Sequence, residues 1–180
     1  MKRTISVLAW IAIAIMASAP ATAQIGRRFP SERKVINDPK TGVELIFLTS
    51  QSGTGDSKIY QTHNQWTSDG KWVIFRSDRV PGEAMAVHEE NGDIVQVTEG
   101  GFSGMLCVAR HSMHLYYMRP VQKAREKSKE RSREREMEVV EIDLERLFAD
   151  SEADNLKKKK HYERICGVIP AEMGAMGDMA

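Results

Sequence analysis

The chain has 180 residues but only 2 cysteines, a net charge of just +1, and no apolar run long enough to cross a membrane. Each shortage excludes something. A nearly neutral chain offers no bulk electrostatic case for a nucleic-acid partner. The apolar run Val7 to Met16 falls short of the roughly 20 residues that a spanning helix needs. No His and Asn arrangement near Cys107 or Cys166 suggests an activated thiolate, so neither is expected to be a nucleophile. Their spacing says nothing about whether the Cα atoms come within bridging reach, so two free, buried thiols are expected rather than a disulfide.

The first residues have the three parts of a secretory signal peptide. Lys2 and Arg3 precede the apolar run, and Ala21-Thr22-Ala23 supplies an A-x-A cleavage site, which predicts a signal peptide over residues 1–23. The mature chain then starts at Gln24, in the periplasm or secreted, with no stable membrane anchor. Losing Lys2 and Arg3 takes the net charge from +1 to −1. Residues 24–37 are expected to be a linker.

Residues 65–101 then alternate strands with turns. WVIF, AMAV and IVQV are apolar runs of strand length, separated by Asp69-Gly70, Pro81-Gly82 and Asn91-Gly92. Such dipeptides signal tight turns between antiparallel strands. The pattern recurs: Trp72 to Phe75 fall on Leu115 to Met118 at an offset of 43 residues, within the roughly 40 to 45 residues of a β-propeller blade. Under that offset Asn64 falls on Cys107, and Cys166 in YERICGV takes the same place a repeat later, once 16 residues of a charged insertion at 122–137 are allowed for. A third blade is therefore predicted to begin near His161. Upstream, Asp38 to Ser50 reads as an outermost strand that should stay out of the first blade.

These readings give an all-β fold, a partial propeller of about two and a half four-stranded antiparallel blades over residues 38–180. A closed propeller needs about 300 residues, so the chain is expected to be the N-terminal portion of a longer protein. The alternative is a small β-sandwich of the same strands. Four strands are expected from about Ile59 to Thr98 and a second blade from about Phe102 to Leu144. LERLFA (Leu144 to Ala149) is expected to form a short helical turn. Gln122 to Glu136, with 7 basic and 4 acidic side chains around a single Ala124, reads as a solvated extension of a hairpin, because it has no apolar face to bury.

The stretch Trp66-Thr-Ser-Asp-Gly-Lys-Trp72 followed by Ile74-Phe-Arg-Ser-Asp-Arg79 resembles the W-S-P-D-G-x-x-I-x-F-x-S-D-R repeat of TolB-like periplasmic propellers, with Thr67-Ser68 in place of Ser-Pro. The wider run, KIYQTHNQWTSDGKWVIFRSDR with EAMAVHEENGDIVQVTEGGFSGMLCVAR and LYYMRP, is similar to the oligogalacturonate lyases, a family of seven-bladed propellers. The resemblance implies β-elimination on short pectin fragments, with a base removing the proton α to a uronate carboxylate and manganese neutralising that carboxylate. In that family the histidines concerned lie in later blades. No catalytic or metal-ligating residue can be carried onto this chain, and the fragment itself is expected to be inactive. Two other readings stay open: a noncatalytic TolB-like propeller that binds a periplasmic protein or glycan, and the propeller of a prolyl-oligopeptidase-type peptidase.

Candidate substrate contacts follow from placement. His63, with Tyr60 and Gln61, lies in YQTHNQW, predicted to be an innermost strand facing a central channel. Arg76 and Arg79 carry guanidinium groups suited to two parallel bonds with a uronate carboxylate, so an oligogalacturonate or other acidic glycan is the expected partner through Tyr60, Gln61, His63 and Arg76. Asp78 and Arg79 are expected to serve the turn instead. His111 and His114 are expected at a hairpin turn rather than at a metal, His88 at a strand end, and Glu89 and Glu90 beside a turn.

Overall fold

A computed structural model describes residues 23–121 and 136–173. The expected signal peptide, except its last residue, and nearly all of the charged insertion lie outside the described residues.

The described chain is mostly β with one α-helix, and its sheets are antiparallel and open. In the first sheet β4 (Ser57–Lys58), β5 (Trp72–Arg76), β6 (Ala84–His88) and β7 (Ile94–Gln96) run as a meander, and β1 (Arg28–Phe29) adds a fifth strand beyond β7. The second is built from β8 (Ser103–Val108), β9 (His114–Pro120), β10 (Met137–Asp143) and β11 (Glu163–Ile169), in that spatial order. β2 (Lys34–Asn37) and β3 (Glu44–Phe47) form a separate hairpin.

Period-two alternation explains how the sheets meet. Trp72, Ile74, Ala84, Ala86, Val95 and Val97 point to one face of the first sheet and share a core with Leu106, Val108, Leu115, Tyr117, Val140 and Ile142 of the second. The intervening Phe75, Met85, Val87 and Ile94 form a separate cluster on the far face, against Val80 and the partly buried Phe29, Leu48 and Val73. Both faces of the first sheet are therefore apolar, as in a layer with neighbours on either side.

The turn expected at Asp69-Gly70 is built as read. The Thr67 hydroxyl donates to Asp69 Oδ1 at 2.5 Å and accepts the Trp72 N–H at 3.1 Å, while Gly70 takes a φ of 72°. Second strands β5 and β9 hold the equivalent places that the 43-residue offset requires. β9 and β10 pair in register from His114↔Asp143 to Pro120↔Met137, and beyond that pair the Val121 N–H donates to Glu136 O at 3.0 Å. Leu144 to Ala149 is helical as expected, but the helix α1 runs further, Leu144–Glu152. Its buried residues, Leu144, Leu147, Phe148 and Ser151, follow the spacing of one helical face.

Four expectations change. YERICGV is not the first strand of a third repeat: β11 is hydrogen-bonded to β10 as the fourth strand of the second sheet. The helix between β10 and β11 lengthens that connection and mimics the start of a new repeat. Consequently Cys107 and Cys166 are not equivalent. They lie on opposite edge strands, three strand spacings or about 14 Å apart, and both are free, Cys107 half-buried and Cys166 exposed rather than buried. Residues 24–37, expected as a linker, contain β1 and β2. The Asp38 to Ser50 strand stays out of the first sheet as expected, yet β1 takes the fifth place in it.

Candidate functional site

Tyr60, Gln61 and His63 do not lie on a strand. Lys58 pairs with Phe75 and Trp66 bridges Val73, so eight residues on one strand span what two cover on the other. The excess is looped out as a turn, with the His63 N–H donating to Tyr60 O at 3.3 Å. The rings of Tyr60 and His63 meet edge to face, 5.4 Å apart. Asn64 anchors the loop by donating to Trp66 O at 2.7 Å. Tyr60 and Gln61 are exposed and His63 is half-buried.

This turn projects from the edge where the first strands of the two sheets approach one another. Asn64 Nδ2 reaches Val108 O on β8 at 3.5 Å. Arg76 holds the other end of the same seam: its guanidinium donates to Gly104 O at 3.1 Å and lies over the Phe102 ring, 5.8 Å from the centroid. Gly104 and Val108 stand four residues apart on β8, about 13 Å along a strand. The structure thus brings Tyr60, Gln61 and His63 together and sets Arg76 apart from them on one continuous edge.

Arg79 serves the fold, together with the backbone of Asp78. Its guanidinium, with a side chain 4% exposed, donates to both oxygens of Glu32, to Asp56 and to Ser77 Oγ. Burial alone would raise the carboxyls of Glu32 and Asp56. Hydrogen bonds more than offset it, from Arg79, Ser50 and Gln51 at Glu32 and from Arg79, Ser77 and Thr49 at Asp56, and hold both below their ordinary values. The Asp78 N–H donates to Thr54 O at 2.7 Å. His111 and Ser112 lie in the bend before β9, and His114 opens that strand with Nδ1 3.0 Å from Ser112 Oγ. His88 ends β6 and Glu89, Glu90 enter the following turn, as read from the sequence.

A polar cleft of about 270 Å3 opens between β5, β6 and the helix, and the sequence reading missed it. Phe148 stacks on Trp72 with centroids 4.1 Å apart, and His88 meets the same indole edge to face at 4.8 Å. Lys71, Asp93, Glu145 and Glu152 stand around them. The signal available was the spacing of Leu144, Leu147 and Phe148, which marks an apolar helical face without saying what it covers.

No cluster of three or more His, Cys, Asp or Glu side chains able to hold a metal is present among the described residues.

No protein-family model matches the chain, and no curated protein matches it. Among solved structures, the crystal structure of oligogalacturonate lyase from Vibrio parahaemolyticus is similar at a TM-score of 0.39 and 14% identity, covering 69% of this chain and 47% of that one. The chain spans about half the length of that protein, and a likeness of this size is too coarse to carry an argument about function.

Proposed function

We propose that the chain is part of a β-propeller of the oligogalacturonate-lyase type, exported to the periplasm or secreted, whose complete form cleaves acidic pectin fragments by β-elimination. The observation that carries the reading is the repetition in the fold: two consecutive antiparallel meanders, each with its first strand at one edge, packed through alternate residues at the offset legible in the sequence. The far face of the first sheet supports it, because Val73, Phe75 and Val87 line an open groove of about 220 Å3 that a further sheet would cover. So does the W-T-S-D-G-K-W and F-R-S-D-R series.

In this reading Tyr60, Gln61 and His63 contact the oligosaccharide from their looped-out turn and Arg76 binds a uronate carboxylate further along the seam. The base and the manganese ligands are supplied by residues beyond those described. The chain as given then binds oligogalacturonate weakly and does not cleave it.

The test has two arms. With digalacturonate and manganese, the absorbance of an unsaturated product should not rise for the purified chain. Metal-dependent turnover abolished by His63→Ala would place the active site here and overturn that part. In titrations with trigalacturonate followed by amide chemical shifts, the perturbed residues should map to the Tyr60 turn and the β4 and β8 edges, and Arg76→Met should weaken binding at least about fivefold. Shifts confined to the Trp72 cleft, or none at all, would remove the uronate reading.

A further inference from the structure

The six residues after Ala23 are built into the fold. Gln24 O accepts the Arg27 N–H at 3.1 Å, a tight turn with Gly26 at a φ of 83°. That φ lies in the left-handed region that favours glycine, and a Cβ at Gly26 would come within 2.4 Å of a Leu156 methyl and 3.1 Å of a Leu147 methyl, which would have to move aside. Ser151 Oγ donates to Gly26 O at 2.7 Å, and Gly26 N donates to Gln96 O at 2.8 Å. Ile25 is 1% exposed and belongs to the core shared by the two sheets.

Two side chains receive the start of this segment. Gln96 is fully buried, and its Oε1 accepts the Gln24 N–H at 3.2 Å. Its amide donates to Thr98 O at 2.6 Å, which fixes the orientation of the acceptor. Glu99 Oε2 accepts the Ile25 N–H at 3.0 Å. Gln24 itself is exposed, at the mouth of an open cavity lined also by Ala23, Glu99, Leu156, Lys157, Lys158 and Lys159. A charged group there stays hydrated, with the Glu99 carboxylate one residue away and the three lysines opposing it.

We infer that Gln96 and Glu99 form the seat of a processed N terminus, made when water hydrolyses the Ala23–Gln24 bond. A leader peptidase would add water across that bond, leaving a carboxylate on Ala23 and an ammonium on Gln24. The backbone N–H that now donates to Gln96 becomes one of three N–H bonds of that ammonium, a charge-assisted donor in the same place. The inference rests on the signal-peptide reading and goes beyond it: the sequence at Ala21-Thr22-Ala23 places the cut, while the geometry gives the new end a receptor.

The seat has a chemical consequence. A free N-terminal glutamine cyclises when its neutral α-amine attacks its own Cδ, forming a C–N bond and expelling the side-chain nitrogen as ammonia. An amine held on Gln96 is withdrawn from that attack.

The test uses the full chain from Met1, expressed with export in a Gram-negative host and followed by intact mass. The mature protein should begin at Gln24. On incubation it should lose ammonia about tenfold more slowly folded than in urea, the factor expected when one charge-assisted hydrogen bond must break first. Gln96→Leu should bring the folded rate toward the unfolded one. A mature chain beginning at Gly26 should melt about 5 to 10 °C lower, from loss of the buried Ile25. A different N-terminal residue would overturn the processing reading and the seat with it. Gln24 at the end, but equal ammonia loss folded and unfolded, would overturn the seat alone.

Discussion

Arg79 shows how one side chain joins distant parts of the chain. It links the N-terminal segment through Glu32, 47 residues away, to the loop before β4 through Asp56, 23 away. Removing a buried charge leaves its partners unpaired, which costs more than the pair itself contributes. Arg79→Met should therefore lower the unfolding free energy by about 3 kcal/mol, read from the urea midpoint at pH 7. Because both carboxyls titrate below their ordinary range in the folded chain, the cluster stabilises fully above the unfolded values, at about pH 5 and up, and this stability is lost as pH falls through the lowered folded values. Between pH 5 and 3 the wild type should lose more stability than Arg79→Met; parallel curves would show that Arg79 does not set the carboxyl titration.

Tyr117 is the opposite case. Its ring is fully buried in the shared core, and its hydroxyl has no hydrogen-bond partner of acceptable geometry among the described residues, although the Arg119 guanidinium is an electrostatic neighbour. Burial pushes the phenol well above its ordinary value, so it stays neutral. Tyr117→Phe should change stability by less than about 1 kcal/mol, since it removes a polar group without breaking a pair. A loss above about 2 kcal/mol would reveal a bridging water.

At the scale of elements, the helix and the hairpin differ in what holds them. The helix Leu144–Glu152 begins at an N-cap: Asp143 Oδ1 accepts the Arg146 N–H at 3.0 Å. Asp143→Ala should cost about 1 kcal/mol and loosen the Phe148 stack on Trp72, visible as a shift in tryptophan fluorescence. The hairpin of β2 and β3 is held at its turn, where the Asp38 carboxylate accepts the Lys40 N–H at 2.9 Å and the Thr41 hydroxyl at 2.8 Å, but its strands bury little. Val35 faces Ile46 on one side and Ile36 faces Leu45 on the other, and all four are exposed. A ribbon apolar on both faces suits a place between two layers. Val35→Thr with Ile46→Thr should leave the stability of the isolated chain within about 0.5 kcal/mol, because little is buried there to lose.

Across the whole molecule, the open edges decide behaviour in solution. β11 is an edge strand with Ile165 and Val168 exposed, Val168 at 54%. Together with the hairpin and the groove at Phe75, these surfaces favour pairing with other strands. The isolated chain should associate as concentration rises, measured by light scattering, and Val168→Lys should reduce the effect. A monodisperse monomer at high concentration would mean that the exposed faces need no cover, and would count against the propeller reading.

The alternation of apolar residues and the turn dipeptides determined by themselves where β5, β6, β7 and β9 run and that they pair antiparallel, because these signals act over a few residues. The 43-residue offset likewise suffices to make β5 and β9 equivalent. Of the candidate site, residue identities were legible but their arrangement was not: the Tyr60 to His63 stretch has a strand-like pattern, yet the register between Lys58 and Trp66 forces it outward. Only the tertiary structure decided that Glu163–Ile169 closes the second sheet, that Phe148 covers Trp72, and that Gln24 and Ile25 fasten onto Gln96 and Glu99. An apolar strand pattern fits any free edge equally well, and a carboxylate or amide gives no local sign of which distant N–H it will meet, so these partnerships depend on how the whole chain packs.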